Sequence, residues 1–320
     1  MARYIRVSVL GRKNPYSVDV SQGMRRAVEE MKECLRKEIE LVLPEKPDLI
    51  VLPEACDRPM NLPASERKNY YLERGSEILD FYSEVARNNN CNIAYSAVRD
   101  VPDGTFRNST IMINREGKID GIYNKNHIVE GERTQGDIYC GTDAPIIECD
   151  FGKVGCVICF DLNFEPIRRK YEKQRPEMLI FSSNYHGGIM QNYWAYACRA
   201  YFVCAFGYGE STIVSPVGET VATSSSYFSY FTRTINLDYA VAHLDYNWGK
   251  LRAMKEKYGP GVTIHDPGHL GSVLISSELN GVSAMDMVKE FEIELLDDYI
   301  ARSLEFHDRN KAADYADRFR

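Results

Sequence analysis

Strand-length apolar runs alternate with amphipathic helical stretches along most of this chain, and such a sequence buries both kinds of element by laying helices on sheets. Residues 4–10 alternate as a strand, 21–42 carry Met24, Ala27, Val28, Met31, Leu35 and Ile39 at helical spacing, and 48–53 read as a buried strand. Residues 66–90 again read helical, 91–98 as a strand, and 109–114 with 118–123 as a hairpin across Arg115-Glu116-Gly117. After a pairing of 145–149 with 153–158, the alternation repeats as helix 164–171, strand 178–182, helix 190–201 and strand 202–208. A second hairpin, 211–215 with 219–223, and a strand at 232–237 follow. Two α/β halves of this kind predict two sheets packed face to face with helices outside, a four-layer α-β-β-α sandwich. The polar, glycine-bearing stretch 126–143 is too long for a tight turn and reads as a binding loop.

No low-complexity linker interrupts the alternation, so a single domain is expected over 1–275. Residues 276–320, rich in Glu, Asp and Arg with Met285, Val288, Phe291, Ile293, Leu296 and Ile300, read as a helical arm packed on the core or on a second subunit, which predicts a homodimer or higher homo-oligomer. A net charge of −7 argues against nucleic acid or an anionic membrane surface as partner and favours a small molecule. No apolar run approaches membrane-spanning length, and the start of the chain lacks the layout of a signal peptide. The 9 cysteines are scattered and mostly set in apolar stretches, as in reduced proteins, so a cytoplasmic location is expected. His265 and His269 are separated by Asp266-Pro267-Gly268 and read as a loop; no metal and no cofactor are expected.

Three apolar or β-rich runs end on reactive groups. Leu49-Ile50-Val51-Leu52-Pro53 stops at Glu54, Ile122-Tyr123-Asn124 at Lys125, and Val154-Gly155-Cys156-Val157-Ile158 at Cys159. A thiol attacks carbonyl carbon as thiolate, and a free pKa of about 8.5 leaves little of it at neutral pH, so it needs a base or a cation. Glu54, with its pKa raised by burial, would be the base, and Lys125 could both favour thiolate and hold an oxyanion. Cys156 reads as a small core residue. A redox pair Cys156/Cys159 is disfavoured because residues three apart on a strand point to opposite faces.

These motifs resemble those of the carbon–nitrogen hydrolase family, or nitrilase superfamily: Ile50-Val51-Leu52-Pro53-Glu54 its glutamate motif, Tyr123-Asn124-Lys125-Asn126-His127 its lysine motif, and Gly155 through Phe164 its cysteine motif. The resemblance spans about residues 4 to 275 and implies the nitrilase-type sandwich, Glu54 as general base, Lys125 as oxyanion stabiliser and Cys159 as nucleophile. It also implies a second glutamate after the lysine, for which Glu130 is preferred over Glu132, and an oxyanion contact from the backbone N–H of Phe160. Tyr185 and His186 fall where the family places pocket residues. The chain departs from the family pattern at Asn163 and Glu165-Pro166. The expected function is hydrolysis of a small amide or N-carbamoyl compound through a Cys159 thioester. The alternatives are nitrile hydrolysis or acyl transfer to an amine on the same three groups, a non-catalytic binding protein, and a thiol redox protein.

Overall fold

The computed structural model describes residues 2–12 and 16–312. Contacts divide the chain into two compact units, Tyr4–Leu237 and Asp238–Arg320 together with Met1–Arg3.

The larger unit opens with strand β1 (Tyr4–Leu10), helix α1 (Met24–Glu40), strand β2 (Leu49–Val51), helices α2 (Arg67–Arg74) and α3 (Glu77–Asn89), and strands β3 (Asn92–Asp100), β4 (Phe106–Ile113) and β5 (Ile119–Asn124). Helix α4 (Glu130–Gly136), strands β6 (Ile147–Cys149) and β7 (Gly152–Ile158), helix α5 (Glu165–Gln174), strand β8 (Met178–Ser183), helix α6 (Ile189–Cys198) and strands β9 (Tyr201–Phe206), β10 (Thr212–Val214), β11 (Thr220–Thr223) and β12 (Tyr230–Asn236) complete it. One six-stranded sheet runs β12-β1-β2-β3-β4-β5 and the other β11-β10-β9-β8-β7-β6. Strands β1, β2 and β3 are parallel, as are β7, β8 and β9, with antiparallel strands at both edges.

Helix α1 buries Ala27, Val28, Met31, Leu35 and Ile39, the stripe expected from its spacing. Each of the larger members stabilises the packing by about 1.5–3 kcal/mol. With Tyr70, Tyr71, Ile78, Phe81 and Tyr82 from α2 and α3, it covers one face of the first sheet in a continuous core. The other faces meet around β1, β2, β4, β7 and β9, and Ser182 Oγ donates to the Leu52 carbonyl at 2.8 Å across that junction. The four-layer sandwich is therefore present.

The helix expected over 66–90 is two helices. Gly75 takes φ +48, which ends α2, and just before it Arg74 turns inward to donate to Asp57 and to the Val98 carbonyl. The loop expected over 126–143 contains α4, whose seven residues are polar or glycine and show no apolar periodicity from which a helix could be read.

The expected boundary at 275/276 moves to 237/238, because Ser272–Ser277 is the central strand of a three-stranded sheet in the smaller unit. That sheet runs β13 (Tyr239–His243), β15 (Ser272–Ser277), β14 (Val262–His265). Helices α7 (Trp248–Tyr258), α8 (Ala284–Glu290) and α9 (Leu296–Arg309) accompany it, the last two lying within the expected arm. Leu251, Met254, Val273, Ile275, Met287 and Val288 form its core. Residues 313–320 of that arm lie outside the described residues. Among the described residues, no helix is long and apolar enough to cross a membrane.

Candidate active site

Parallel strands deliver side chains to the edge of a sheet at their carboxyl ends, and ligands of open α/β sheets gather there. Glu54 follows β2, Cys159 follows β7, and Asn184 follows β8. Lys125 follows β5, fixed by its N–H donating to the Asn108 carbonyl at 2.8 Å and by its carbonyl accepting from Gly141 N–H at 2.7 Å. A β carbon on residue 141 would stand 2.3 Å from the Asn124 carbonyl oxygen, so only glycine allows that approach.

The chain turns sharply at two of these ends. Cys159 has φ +48 and Ala55, beside Glu54, has φ +47, a left-handed conformation that costs a non-glycine residue about 1–2 kcal/mol. Strain of this kind is tolerated where surrounding structure fixes it. Asp161 supplies that fixing. Fully buried, its Oδ1 accepts from the His127 N–H at 2.7 Å, and its Oδ2 from Tyr123 Oη at 2.7 Å and the Ile158 N–H at 3.2 Å. It thereby ties the strand end bearing Lys125 to the turn bearing Cys159. His127 also stacks on Phe164, with ring centroids 3.8 Å apart. From the outer layer, Tyr171 on α5 donates to the Cys156 carbonyl at 2.7 Å and accepts from its N–H at 3.1 Å. Asp161→Ala strands these donors, and is expected to cost about 3 kcal/mol or more in a urea melt, at 1–3 kcal/mol per unsatisfied buried group. A loss under 1 kcal/mol would show that the turn is held by something else.

Lys125 Nζ donates to Glu54 Oε1 at 2.9 Å and to Glu132 Oε2 at 2.7 Å. Asn108 Nδ2 bridges the same two carboxylates at 2.8 and 2.9 Å. Glu54 Oε2 accepts from the Asn184 N–H at 3.2 Å. Lys125 is 2% exposed and Glu54 8%, so this set sits in a poorly hydrated environment. Together with Cys159 it lines a cavity of about 290 Å³.

Electrostatics assign protonation states. Burial pushes the Glu54 carboxyl up, but the Lys125 ammonium and hydrogen bonds from Lys125, Cys159 and Asn108 outweigh it and hold the group below the usual carboxylate range. Burial lowers Lys125, and the charges of Glu54 and Glu132 more than restore it, so the ammonium is retained. Burial and then the Glu54 carboxylate push the Cys159 thiol up to about 12, against the pull of Lys125. The resting set is thus thiol, carboxylate and ammonium. The expectation that burial raises Glu54 is reversed, because its counter-charge is in direct contact.

Of the residues expected from sequence, Glu54, Lys125 and Cys159 come together. Glu130 does not: it is exposed at the start of α4, and Glu132 is the carboxylate on Lys125. Residues two apart on a helix point about 200° away from each other, and Glu132 also accepts the Val129 N–H at 2.9 Å, so only Glu132 faces inward. Phe160 follows Cys159 in a 3-10 turn (Cys159–Asn163), where the first backbone N–H groups have no intrahelical acceptor. Tyr185 and His186 are exposed and outside the lining of the Cys159 cavity. The chain turns away through Gly187 (φ +78) and Gly188 (φ +51), and Asn184 is the residue of this segment that reaches the cavity. At the departures from the family pattern, Pro166 sits in the first turn of α5, where its missing N–H is no loss, and Arg168 pairs with Glu165 at 2.7 Å and Glu172 at 2.9 Å. Asn108 was not legible, since a polar residue inside a strand carries no local sign of a partner two strands away.

The carbon–nitrogen hydrolase family profile matches residues 6–242. A probable nitrilase, C965.09, of Schizosaccharomyces pombe is 27% identical over 148 residues, covering 41% of this chain and 53% of that protein. Omega-amidase NIT2 of Xenopus tropicalis is 22% identical, covering 68% of this chain and 84% of that protein. Saccharomyces cerevisiae Nit3, a member of branch 10 of the nitrilase superfamily, superposes with a TM-score of 0.58 at 19% identity, over 73% of this chain and 90% of that one. The chain spans about half the length of some curated relatives that it matches.

Proposed function

Because this chain belongs to the carbon–nitrogen hydrolase family, we propose that it hydrolyses the carbon–nitrogen bond of a small amide or N-carbamoyl compound through a thioester on Cys159. The observation that carries this reading is the hydrogen-bonded Glu54–Lys125–Glu132 set lining one cavity with the thiol.

A thiol raised to about 12 is not a standing thiolate. The nucleophile is therefore made during attack: as sulfur bonds to the carbonyl carbon, the thiol proton passes to the Glu54 carboxylate. The carbonyl π pair moves onto oxygen, and the Lys125 ammonium with the Phe160 backbone N–H stabilises the oxyanion. Collapse of the tetrahedral intermediate breaks the carbon–nitrogen bond, and the departing nitrogen takes the proton from Glu54. Water then attacks the thioester, giving its proton to Glu54, and the carboxylic acid leaves as the thiol is restored. Glu132 and Asn108 hold Lys125 and Glu54 in place and exchange no proton.

The test is ammonia release from a panel of small amides, N-carbamoyl amino acids and nitriles. Release from amides or N-carbamoyl compounds, lowered about 10²–10⁴-fold in Glu54→Gln, supports the reading; release from nitriles alone overturns it. The pH profile has a definite sign. The reactive form needs Glu54 ionised, and its carboxyl is held low, so kcat/KM is expected to stay flat from about pH 8 to about pH 5 and to fall only below the usual carboxylate range. An acid limb near pH 7 would mean that Glu54 is not the group titrating.

A further inference from the structure

The cavity contains two cations that the mechanism does not use. Arg58, in the turn after Glu54, and Arg67, the first residue of α2, line the Cys159 cavity and also an adjoining chamber of about 230 Å³ that ends at Met60 and Tyr208. Neither forms an ion pair among the described residues, and the Arg67 Nε is buried with no acceptor. Half-buried Arg99 also has no ion pair among the described residues but donates to the neutral Ser109 and Asn124, whereas three other inward-turned arginines are charge-paired. Arg12 pairs with Glu38 at 2.7 Å, Arg74 with Asp57, and Arg168 with two glutamates. Burial, and then the like charge of Arg58, hold Arg67 below the usual guanidinium range, so the two repel each other. The carboxylates in the same cavity are already committed, Glu54 and Glu132 both to Lys125 and Asn108. Three cations against two carboxylates leave the lining with an excess positive charge while Cys159 is a thiol. Against the pull of burial, Tyr71 and the charge of Glu54 hold Arg58 up, so the uncompensated member is Arg67, and a guanidinium partly desolvated beside a like charge is costly unless a ligand supplies an anion.

We propose that Arg58 and Arg67 form a carboxylate-binding subsite, so that the substrate is an amide or N-carbamoyl compound bearing a second, ionised carboxyl group. This deepens the reading of Cys159 as an acyl-transfer site and rests on it for the reaction, but not for the binding. A carboxylate presents two oxygens to the forked N–H donors of a guanidinium, and such pairs are both stronger and more directional than those to neutral acceptors. Two sources share this chemistry: a dicarboxylic acid monoamide, with the charge on the acyl side, and an N-carbamoyl amino acid, with the charge on the departing amine.

Two measurements separate the subsite from the catalysis. First, calorimetry with glutarate, and with neutral 1,5-pentanediol as control, on the intact protein and on Arg58→Gln and Arg67→Gln needs no turnover. Glutarate should bind, the diol about tenfold to a hundredfold more weakly, and each variant should lose a similar factor for glutarate. Second, kcat/KM is compared for glutaramate against pentanamide and for N-carbamoyl-β-alanine against N-propylurea. At least one charged member should exceed its neutral partner about tenfold or more, the ratio collapsing in the glutamine variants and partly recovering in Arg58→Lys and Arg67→Lys. The pair showing the preference identifies the source. Turnover of neutral amides with no preference for the charged ones, or glutarate binding that survives in both glutamine variants, overturns the subsite and leaves the amidase reading standing. Glutarate binding lost in the variants of a protein that turns over nothing keeps the subsite and overturns the amidase reading. Thermal melts of each variant matching the parent tie the losses to the guanidinium.

Discussion

Replacing Cys159 by alanine is expected to lower amide turnover by about four orders of magnitude or more while leaving the fold intact. The large effect follows because the other thiol of the motif, Cys156, is fully buried in β7 and cannot take over the attack. The small structural effect follows from backbone geometry. At φ +48 any side chain is strained, so alanine inherits the conformation already present. Glycine would relieve it by about 1–2 kcal/mol, and Cys159→Gly is expected to melt at or above the parent's temperature while equally inactive. That inverse relation of stability to activity is the signature of strain kept for a functional group. Ammonia release and thermal melts on the same preparations check both halves. Residual turnover above about one part in a thousand of the parent's, or a glycine variant melting well below it, would remove Cys159 from the role given to it.

Replacing Lys125 by methionine is expected to destabilise the protein by about 3–5 kcal/mol near neutral pH, the cost of leaving buried charges uncompensated. Glu54 and Glu132 would then share Asn108 with no cation between them. The pH dependence gives this its sign. In the parent, the Glu54 pKa is held below its unfolded value, so that contribution to stability is present above the unfolded carboxylate value and is lost as pH falls through the folded one. In the variant, burial is opposed only by the hydrogen bonds from Cys159 and Asn108, so the folded value moves up and protonation relieves the penalty. The gap in urea-unfolding free energy between parent and variant should be widest near pH 7.5 and shrink markedly toward about pH 4.5. Equal gaps at both pH values would assign the loss to packing of the lysine stem instead.

Much of the site was legible because strands announce their own ends. An apolar run that stops at Glu54, Lys125 or Cys159 marks a local change from buried to functional; β2 and β5 end on one sheet and β7 on the other, and the face-to-face packing of the two sheets brings the three ends together. Elements with an apolar stripe, such as α1, were placed within a few residues. Polar α4 had no stripe to read, and the continuous helix over 66–90 concealed the break at Gly75. The boundary at 275 failed because β15 pairs with β13, thirty-odd residues upstream, and sequence does not display pairing.

What the sequence determined by itself was the alternation, hence the layered fold, and the chemical types waiting at the strand ends. What only the tertiary structure decided was which polar groups meet. Glu132 was chosen over Glu130 by the direction of side chains around one helical turn. Asn108 was set between two carboxylates, Asn184 was brought to Glu54 from 130 residues away, and two arginines were left with no carboxylate partner among the described residues. Hydrophobic periodicity is a property of neighbours in the chain and can be read along it. Hydrogen bonds and charge pairs within a cavity join residues far apart in sequence, and their geometry exists only once the sheets have packed.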